Sequence, residues 1–385
     1  MEIIGCGVFG CKGTALEPRR GARRHNRAAC RGVWQRNDRR IHPRFMPAPL
    51  PFPAFSAPLA RRLAPLAALL ALAACSKVDI PIAPPVTPET VAFTVPNLYP
   101  EGLQYDVQSS RFLVSSLTAG TLGAVTDDGI YIVFADNPAL VSSVGLYLDA
   151  PRNRVLAAVS DPGYNTQRTT AATLRKLARL AIFNRADGQL VTTVDLGGLL
   201  PGFNHFANDM AVDGQGNIYV TDSFAPVIYK VDAQGTATVF LNNPQLGAPL
   251  GAFGLNGIVY HPGGYLLVAK SDEGALFKVP IGNPTGFTRV ATTGINLSAA
   301  DGLRLQADNA LQVVTNAQAK VYRLASADNW ATATLSGTFA TAPQFPTSLA
   351  LRPGADSYVL NANLNALQAA QNPPVSQFNI VRVHF

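Results

Sequence analysis

Cysteine is scarce in this chain: there are four in 385 residues, at positions 6, 11, 30 and 75. Because none follows Cys75, the rest of the chain can form neither a disulfide nor a cysteine-ligated metal site. It must therefore be held by a hydrophobic core, and 48% of the residues are hydrophobic. The sequence also lacks a phosphate-binding glycine loop and a serine nucleophile elbow, so it supports neither nucleotide chemistry nor an acyl-serine mechanism.

Charged residues make up only 14% of the chain and are unevenly distributed. The formal net charge is +7, but residues 1–75 alone contain 13 Lys and Arg against 3 Asp and Glu. The remaining residues contain 18 basic and 21 acidic side chains, a net charge of −3. A nucleic-acid-binding protein needs positive charge on its folded part. We therefore expect no nucleic-acid partner.

The first 75 residues have the composition of an export signal with an additional segment before it. Residues 1–45 are rich in Arg and have no hydrophobic periodicity, so we interpret them as a mis-assigned or disordered N-terminal extension, with a basic arm as the alternative. In residues 46–75, Arg61 and Arg62 precede the apolar run LAPLAALLALAA. A charged region, a short apolar run and small residues before a cleavage site are typical of a signal peptide.

The apolar run ends in LAAC at Cys75, which resembles the lipobox of bacterial lipoproteins. The resemblance implies lipidation of Cys75 and a location in the bacterial cell envelope, facing the periplasm. Ser76 in place of Asp favours the outer membrane. The alternative is an ordinary secretory signal that contains a cysteine. Residues 76–90 include four prolines and are predicted to form an extended tether.

A pattern of short strands and tight turns repeats through residues 91–385. In NDMAVDGQGNIYVTDSFAPVIYKVDAQGTATVF, from Asn208 to Phe240, apolar and β-branched runs alternate with Gly- and Asn-containing turns. Four antiparallel strands in about 35 residues is the size of a β-propeller blade. Related segments begin at six positions, spaced by 43, 64, 48, 45 and 46 residues: Glu101, Val144, Asn208, Asn256, Asp301 and Thr347. The sequence therefore predicts an all-β, six-bladed propeller.

Two irregularities of the repeat lead to structural expectations. The last blade lacks one strand, so we expect Val91–Val95 to pair beside the C-terminal FNIVRVHF and close the ring. The 64-residue interval of blade two is too long, and its excess falls at Asp161–Lys176. Such a loop is either functional or a solvated surface segment.

The first residues of the six segments, which we call the column, point to a metal site. Since the innermost strand of each blade faces the central channel, these residues are expected to converge on one axis. Four of them carry oxygen donors: Glu101, Asn208, Asn256 and Asp301. Two carboxylates placed together repel each other and raise each other's pKa, and a divalent cation between them removes the repulsion. Without His or Cys, the set favours calcium, magnesium or manganese over zinc; the alternative is a set of turn residues bonded to the local backbone.

On these residues the chain resembles the senescence marker protein/gluconolactonase/luciferin-regenerating enzyme family of six-bladed propellers. The resemblance covers residues 98–385 and rests on EGL at Glu101, NDMAVDGQGNIYVTD at Asn208, NG at Asn256 and DG at Asp301. It implies that Glu101, Asn256 and Asp301 hold one divalent metal ion and that Asn208 binds substrate. Members that act on sugar lactones often carry Arg two residues before that Asn, where this chain has Phe206, and the difference argues against a sugar-acid lactone.

The resemblance implies metal-assisted hydrolysis of a lactone or a related small-molecule ester. Asp301 is the expected general base, and Asn208 is expected to orient the substrate. His205, three residues earlier, is a candidate substrate contact, with a structural role as the alternative. Two other classes remain open: a non-catalytic, lipid-anchored binding propeller with a structural ion, and a strictosidine-synthase-like propeller. The substrate's identity and the oligomeric state do not follow from the sequence.

Overall fold

The computed structural model describes residues 87–354 and 357–385. The N-terminal extension, the signal peptide, the lipidation site at Cys75 and most of the expected tether lie outside these residues. No helix within the described ranges is long and apolar enough to cross a membrane.

Almost all regular structure in the described residues is β-strand. The chain enters with β1 (Thr90–Thr94) and continues through five consecutive four-stranded antiparallel sheets. These blades comprise β2 (Leu103–Asp106), β3 (Arg111–Val114), β4 (Leu122–Val125) and β5 (Tyr131–Ala135); β6 (Ser142–Asp149), β7 (Arg154–Ser160), β8 (Ala178–Asn184) and β9 (Leu190–Asp195); β10 (Ala207–Val212), β11 (Ile218–Asp222), β12 (Val227–Val231) and β13 (Ala237–Asn242); β14 (Leu255–His261), β15 (Tyr265–Lys270), β16 (Ala275–Pro280) and β17 (Thr288–Arg289); and β18 (Ala300–Leu305), β19 (Leu311–Thr315), β20 (Lys320–Ala325) and β21 (Thr334–Ala340).

The sixth blade combines the two ends of the described chain. It contains β22 (Pro346–Leu351), β23 (Ser357–Asn361), β24 (Gln377–Arg382) and β1, with the short helix α1 (Leu364–Gln368) between β23 and β24. The innermost strands β2, β6, β10, β14, β18 and β22 each contact their neighbours, and β22 contacts β2. The six-bladed propeller predicted from the repeat is confirmed.

Strand β1 closes the ring as expected. It pairs antiparallel with β24, from Thr90 opposite Val381 to Thr94 opposite Gln377. Its alternating side chains Val91 and Phe93 are buried, and the Phe93 ring lies 5.8 Å from that of Phe378. The N-terminal strand therefore covers the otherwise open edge of the last blade.

The turns are set by side chains that bond to the backbone. In blade three, Asp213 follows β10 and its carboxylate accepts hydrogen bonds from the N–H groups of Gln215 and Asn217. Gly216 supplies the positive φ of 91° that the turn requires. The DGQGN segment therefore forms the hairpin predicted from its composition.

Glycine follows the column residue in four blades for a steric reason. A Cβ added at any of these glycines would lie too close to the carbonyl oxygen of the next blade's column residue. The distances are 2.6 Å from Gly102 to Val144, 2.4 Å from Gly145 to Asn208, 2.3 Å from Gly257 to Asp301 and 2.6 Å from Gly302 to Thr347. Real Cβ atoms do not approach a backbone oxygen so closely. The recurring column–Gly dipeptide is therefore a requirement of close packing between innermost strands.

The column residues also lie at irregularities of the innermost strands. In five blades the pairing with the second strand shifts register across the column residue and the residue after it, at positions 144–145, 208–209, 256–257, 301–302 and 347–348. In blade one, pairing begins only after Gly102, and the N–H groups of Glu101 and Gly102 both donate to Ser115 Oγ. These bulges redirect individual side chains.

We expect Gly257→Ala to lower the free energy of unfolding by about 1–3 kcal/mol, since its methyl group would overlap the Asp301 carbonyl oxygen. Thermal unfolding followed by circular dichroism measures the change. Gly214→Ala is the matched control, because no atom lies within 4 Å of its added Cβ, and it should stay within about 0.5 kcal/mol of wild type. Equal unfolding temperatures for the two variants would contradict the steric account.

Candidate active site

The structure brings the oxygen-bearing column residues together at one end of the central channel. Glu101, Asn208, Asn256 and Asp301 line one cavity of about 350 Å³, with Val144 beside them. All four side chains are at least nine-tenths buried. The sixth column residue, Thr347, is not in the lining; its hydroxyl donates to the carbonyl oxygen of Glu101 at 2.9 Å. We refer to the four oxygen-bearing side chains as the floor of the cavity.

Serines at the ends of the second strands determine how the two amides of the floor are oriented. Asn208 Nδ2 donates to Ser223 Oγ at 2.9 Å, and Asn256 Nδ2 donates to Ser271 Oγ at 3.0 Å. Both serine hydroxyls already donate to backbone carbonyls of the next blade, so they can only accept from the amides. Each amide therefore keeps its Nδ2 on the serine and leaves its Oδ1 free.

Asp301 is held in a similar way by the residue that follows the second strand of its own blade. Asn316 Nδ2 donates to Asp301 Oδ2 at 3.1 Å, and Asn316 follows β19 as Ser271 follows β15. The amide of Asn316 fixes one carboxylate oxygen of Asp301 without neutralising its charge.

Three oxygens of the floor have no hydrogen-bond partner among the described residues. They are Glu101 Oε2, Asn208 Oδ1 and Asn256 Oδ1, all inaccessible to solvent. A buried acceptor without a partner costs about 1–3 kcal/mol. Several such oxygens on residues that line one cavity are typical of a site that binds a ligand able to pair with them.

The electrostatics of the floor support the same conclusion. Burial, reinforced by the negative charges of Asp301 and Asp209, raises the pKa of Glu101 well above its usual value. Burial also raises the pKa of Asp301, to about 7, and the nearby Asp209 contributes to that shift. Carboxylates in such surroundings are stabilised in their ionised form by a divalent cation.

The donor set fits a hard cation better than a soft one. The floor offers two carboxylates and two amide oxygens, which is the ligand type that calcium, magnesium and manganese prefer. Within the described ranges, no cluster of three or more His, Cys, Asp and Glu side chains is present that could hold a metal ion. A cation at the floor would therefore depend on the amide oxygens as well as on the carboxylates.

Asp209 and Arg304 belong to a second part of the channel, further along the innermost strands. Both line a separate cavity of about 290 Å³. Burial raises the pKa of Asp209 to about 7, although its carboxylate accepts the Met210 N–H at 2.8 Å. Burial lowers the pKa of Arg304, and the charge of Asp209 opposes that shift. Asp209 thus adds negative charge near the floor without lining its cavity.

His205 does not line the cavity. Its side chain is buried, with Nδ1 at 2.8 Å from Asp222 Oδ2 and Nε2 at 3.1 Å from the carbonyl oxygen of Leu200. Burial alone would lower the pKa of His205, but the Asp222 carboxylate raises it on balance. Because both ring nitrogens are engaged in these bonds, the position of His205 fits the structural alternative rather than contact with a substrate.

The sides of the cavity are mainly apolar and come from connections between strands. Six residues form what we call the apolar wall: Leu117, Phe206, Phe253, Phe345, Leu364 and Leu367. The long connection of blade two adds Tyr164. Within that connection, Arg168 turns away to the carbonyl oxygens of Asn137 and Leu140 and to Asp136.

Several solved structures are similar to this chain in fold. The Malassezia sympodialis allergen Mala s 1 covers 78% of this chain and 97% of its own at 19% identity, with a TM-score of 0.63. A putative gluconolactonase covers 77% of this chain and 93% of its own at 16% identity, with a TM-score of 0.54. The calcium-binding protein regucalcin from Agrobacterium tumefaciens covers 75% of this chain and 92% of its own at 19% identity, with a TM-score of 0.51. At these identities, the likeness establishes the fold.

No protein-family model and no curated protein sequence matches the chain.

Sequence reasoning found the column but missed the residues that orient it. Ser223, Ser271 and Asn316 occupy the same repeat position, at the ends of YVTDS, LVAKS and VVTN. The signal was present in the repeat alignment. A hydroxyl or amide at the end of a strand is, however, common enough in turns to pass for a local cap.

We expect the metal-free wild-type protein to lose more stability than the Asp301→Asn variant as the pH rises from about 4 to 8. Asp301 has a pKa of about 7 when folded and about 3.9 when unfolded. Its protonated form is favoured by folding, so its contribution is complete below pH 4 and is lost as the pH rises through 7. Unfolding temperatures measured with a chelator should show the variant gaining several degrees on wild type across this range.

The exposed Asp187 provides the control for that measurement. Asp187→Asn should follow the wild-type pH profile, because its carboxylate is not buried. A constant difference between wild type and Asp301→Asn from pH 4 to 8 would show that Asp301 has an ordinary pKa in the folded protein.

Proposed function

We propose that the protein is a divalent-metal-dependent hydrolase that acts on a lactone or a related ester of a small molecule. The observation that carries the proposal is the floor: two buried carboxylates and two buried amides line one cavity, and three of their oxygens have no partner. The cavity is of the size that takes small molecules. Gluconolactonase and calcium-binding propellers among the structural neighbours are consistent with this activity.

Glu101, Asn256 and Asp301 would hold the metal ion, with calcium favoured and magnesium, manganese or zinc as alternatives. When bound, a divalent cation polarises a carbonyl group and stabilises the negative charge that develops on its oxygen. Asn208 Oδ1 is free at the same floor and would orient the substrate. The serine contacts described above keep both amide oxygens in place before any ligand enters.

Asp301 is the candidate general base. One of its oxygens accepts a hydrogen bond from Asn316, which fixes the carboxylate, and its other oxygen would take the proton of a water molecule. A general base must be ionised before it can take a proton, and burial in the metal-free protein raises the pKa of Asp301 to about 7. A bound cation would lower this pKa, so the group would be ionised at neutral pH.

We expect Asp301→Ala to abolish hydrolysis and to weaken calcium binding, because it removes a charged ligand and the base together. Asp301→Asn separates the two roles, since it keeps an oxygen ligand but cannot take a proton. It should retain calcium with reduced affinity and lose turnover by about 100-fold or more. Asn208→Ala should bind calcium nearly as wild type and should mainly raise KM. Calorimetric titration with calcium and initial rates on a lactone panel provide the measurements.

Two outcomes would overturn parts of this proposal. Wild-type rates in Asp301→Asn would remove Asp301 from the base role. A purified protein that neither binds a divalent cation nor hydrolyses any lactone or ester with the ion added would be a non-catalytic binding propeller. Exposed Asp187→Asn is again the control, with unchanged binding and rates.

We also propose that the propeller is exported and attached to the periplasmic face of the envelope, in the outer membrane, by a lipid on Cys75. The support is the LAAC segment after a charged region and an apolar run. Metabolic labelling with a fatty-acid analogue should mark wild type and leave Cys75→Ser unlabelled. Equal labelling of both proteins would exclude Cys75 as the site of attachment.

A further inference from the structure

We infer that the ligand of this cavity has a polar ester or lactone group at one end and an apolar body, as in an alkyl or aryl lactone. The inference rests on the function proposed above and adds the substrate class. The floor supplies polar groups, and the apolar wall, together with Val144 and three alanines, makes up most of the remaining lining. The orientation of a bound molecule then follows, with its carbonyl group toward the floor and its body along the wall.

One side of the wall is built from three phenylalanine rings. Phe206 lies 5.3 Å from Phe224 and 5.3 Å from Phe253 between ring centroids, and Phe224 lies 5.2 Å from Phe253. Phe206 and Phe253 line the cavity, and Phe224 supports both from behind. Aromatic clusters of this spacing are rigid, apolar surfaces.

The same buried network that engages His205 also fixes this side of the wall. Asp222 Oδ1 accepts the backbone N–H of Phe206 at 2.8 Å and that of Phe224 at 3.0 Å. Asp222 Oδ2 bonds to His205 and to the Tyr229 hydroxyl. Two of the three rings are therefore carried on backbone that is fixed by one carboxylate, so the wall is preformed before ligand binding.

The other side of the wall comes from helix α1 and the turn before β22. Leu364 and Leu367 of α1 line the cavity, and both also pack against two separate hydrophobic clusters of the propeller. Phe345 lines the cavity as well, and its carbonyl oxygen accepts the N–H groups of Ala362 and Asn363 ahead of the helix. The helix therefore adds an apolar surface to the channel end.

The wall offers few partners for hydroxyl groups. Of the polar residues that line the cavity outside the floor and its orienting residues, Asp272 is paired with Lys270 Nζ at 2.8 Å and Gln368 is exposed. Tyr164 adds one hydroxyl. A polyhydroxylated lactone would place several hydroxyls against aromatic and aliphatic carbon, where each loses its hydrogen bonds to water. The wall therefore favours an apolar body over a sugar.

A matched pair of six-membered lactones tests the substrate class. δ-Decanolactone carries an alkyl chain, and D-glucono-δ-lactone carries hydroxyl groups. With calcium added to the full-length chain, we expect kcat/KM to be on the order of 100-fold higher for δ-decanolactone, from burial of its chain. A higher kcat/KM for the gluconolactone would overturn the inference and leave the proposed hydrolase function in place.

Substitutions in the apolar wall test whether the wall is responsible for the preference for δ-decanolactone. Phe253→Ser should lower kcat/KM for δ-decanolactone about tenfold, mainly through KM, and Phe253→Leu should recover most of the loss. Phe203→Ser is the control, because Phe203 is 44% exposed and does not line the cavity. Equal loss in Phe253→Ser and Phe203→Ser, or no loss in either, would overturn the role of the wall.

A binding measurement separates the ligand class from catalysis. The apolar dye N-phenyl-1-naphthylamine should increase its fluorescence with wild type and be displaced by δ-decanolactone but not by the gluconolactone. Phe253→Ser should weaken dye binding about tenfold, and Asp301→Ala should retain it. If these results hold but no lactone is hydrolysed, the inference on ligand class stands and the hydrolase proposal fails. Displacement by the gluconolactone, or no dye binding by wild type, would overturn the inference.

Discussion

The close approach of six innermost strands around one axis is the constraint on which the rest of the structure depends. It brings the backbone oxygen of a column residue to within 2.3–2.6 Å of where the innermost strand of the preceding blade would place a Cβ, so glycine stands at four of these positions. The two remaining blades have Asp209 and Ser348 there instead. Since five of the innermost strands shift register at the column, their side chains can turn toward the axis. The geometry of ring closure thus also creates the floor of the cavity.

The floor is locally unfavourable and is supported by the rest of the propeller. Buried carboxylates and partnerless oxygens reduce the stability of a folded protein. They persist because large hydrophobic clusters surround them and because β1 covers the edge of the last blade. Unfavourable groups concentrated at one place in a stable fold are typical of a functional site.

The floor and the apolar wall belong to different parts of the fold. Three floor residues, Asn208, Asn256 and Asp301, lie at the bulges of innermost strands and are oriented by residues that follow the second strands, and Glu101 lies just before β2. The wall lies on connections and on α1, which the propeller geometry constrains much less. Changes in the wall could therefore alter which ligand binds while the floor is kept. Neighbouring propellers that include an allergen and a gluconolactonase show how widely this fold is used.

The sequence by itself determined the six blades, the strand that closes the ring and the four oxygen-bearing residues of the column. A propeller repeats one local unit, so hairpin turns such as DGQGN and the column–Gly dipeptides recur at readable intervals. Only the tertiary structure decided which oxygens are left without partners, because this depends on hydrogen bonds between residues about 15 positions apart and on carbonyl groups of the next blade. It also decided the place of His205, whose bond to Asp222 joins a loop to a strand end. Phe206 and Phe345 each stand two residues before a column residue, but Leu364 and Leu367 lie on helix α1, outside the repeat, so the complete wall could not be read from the chain.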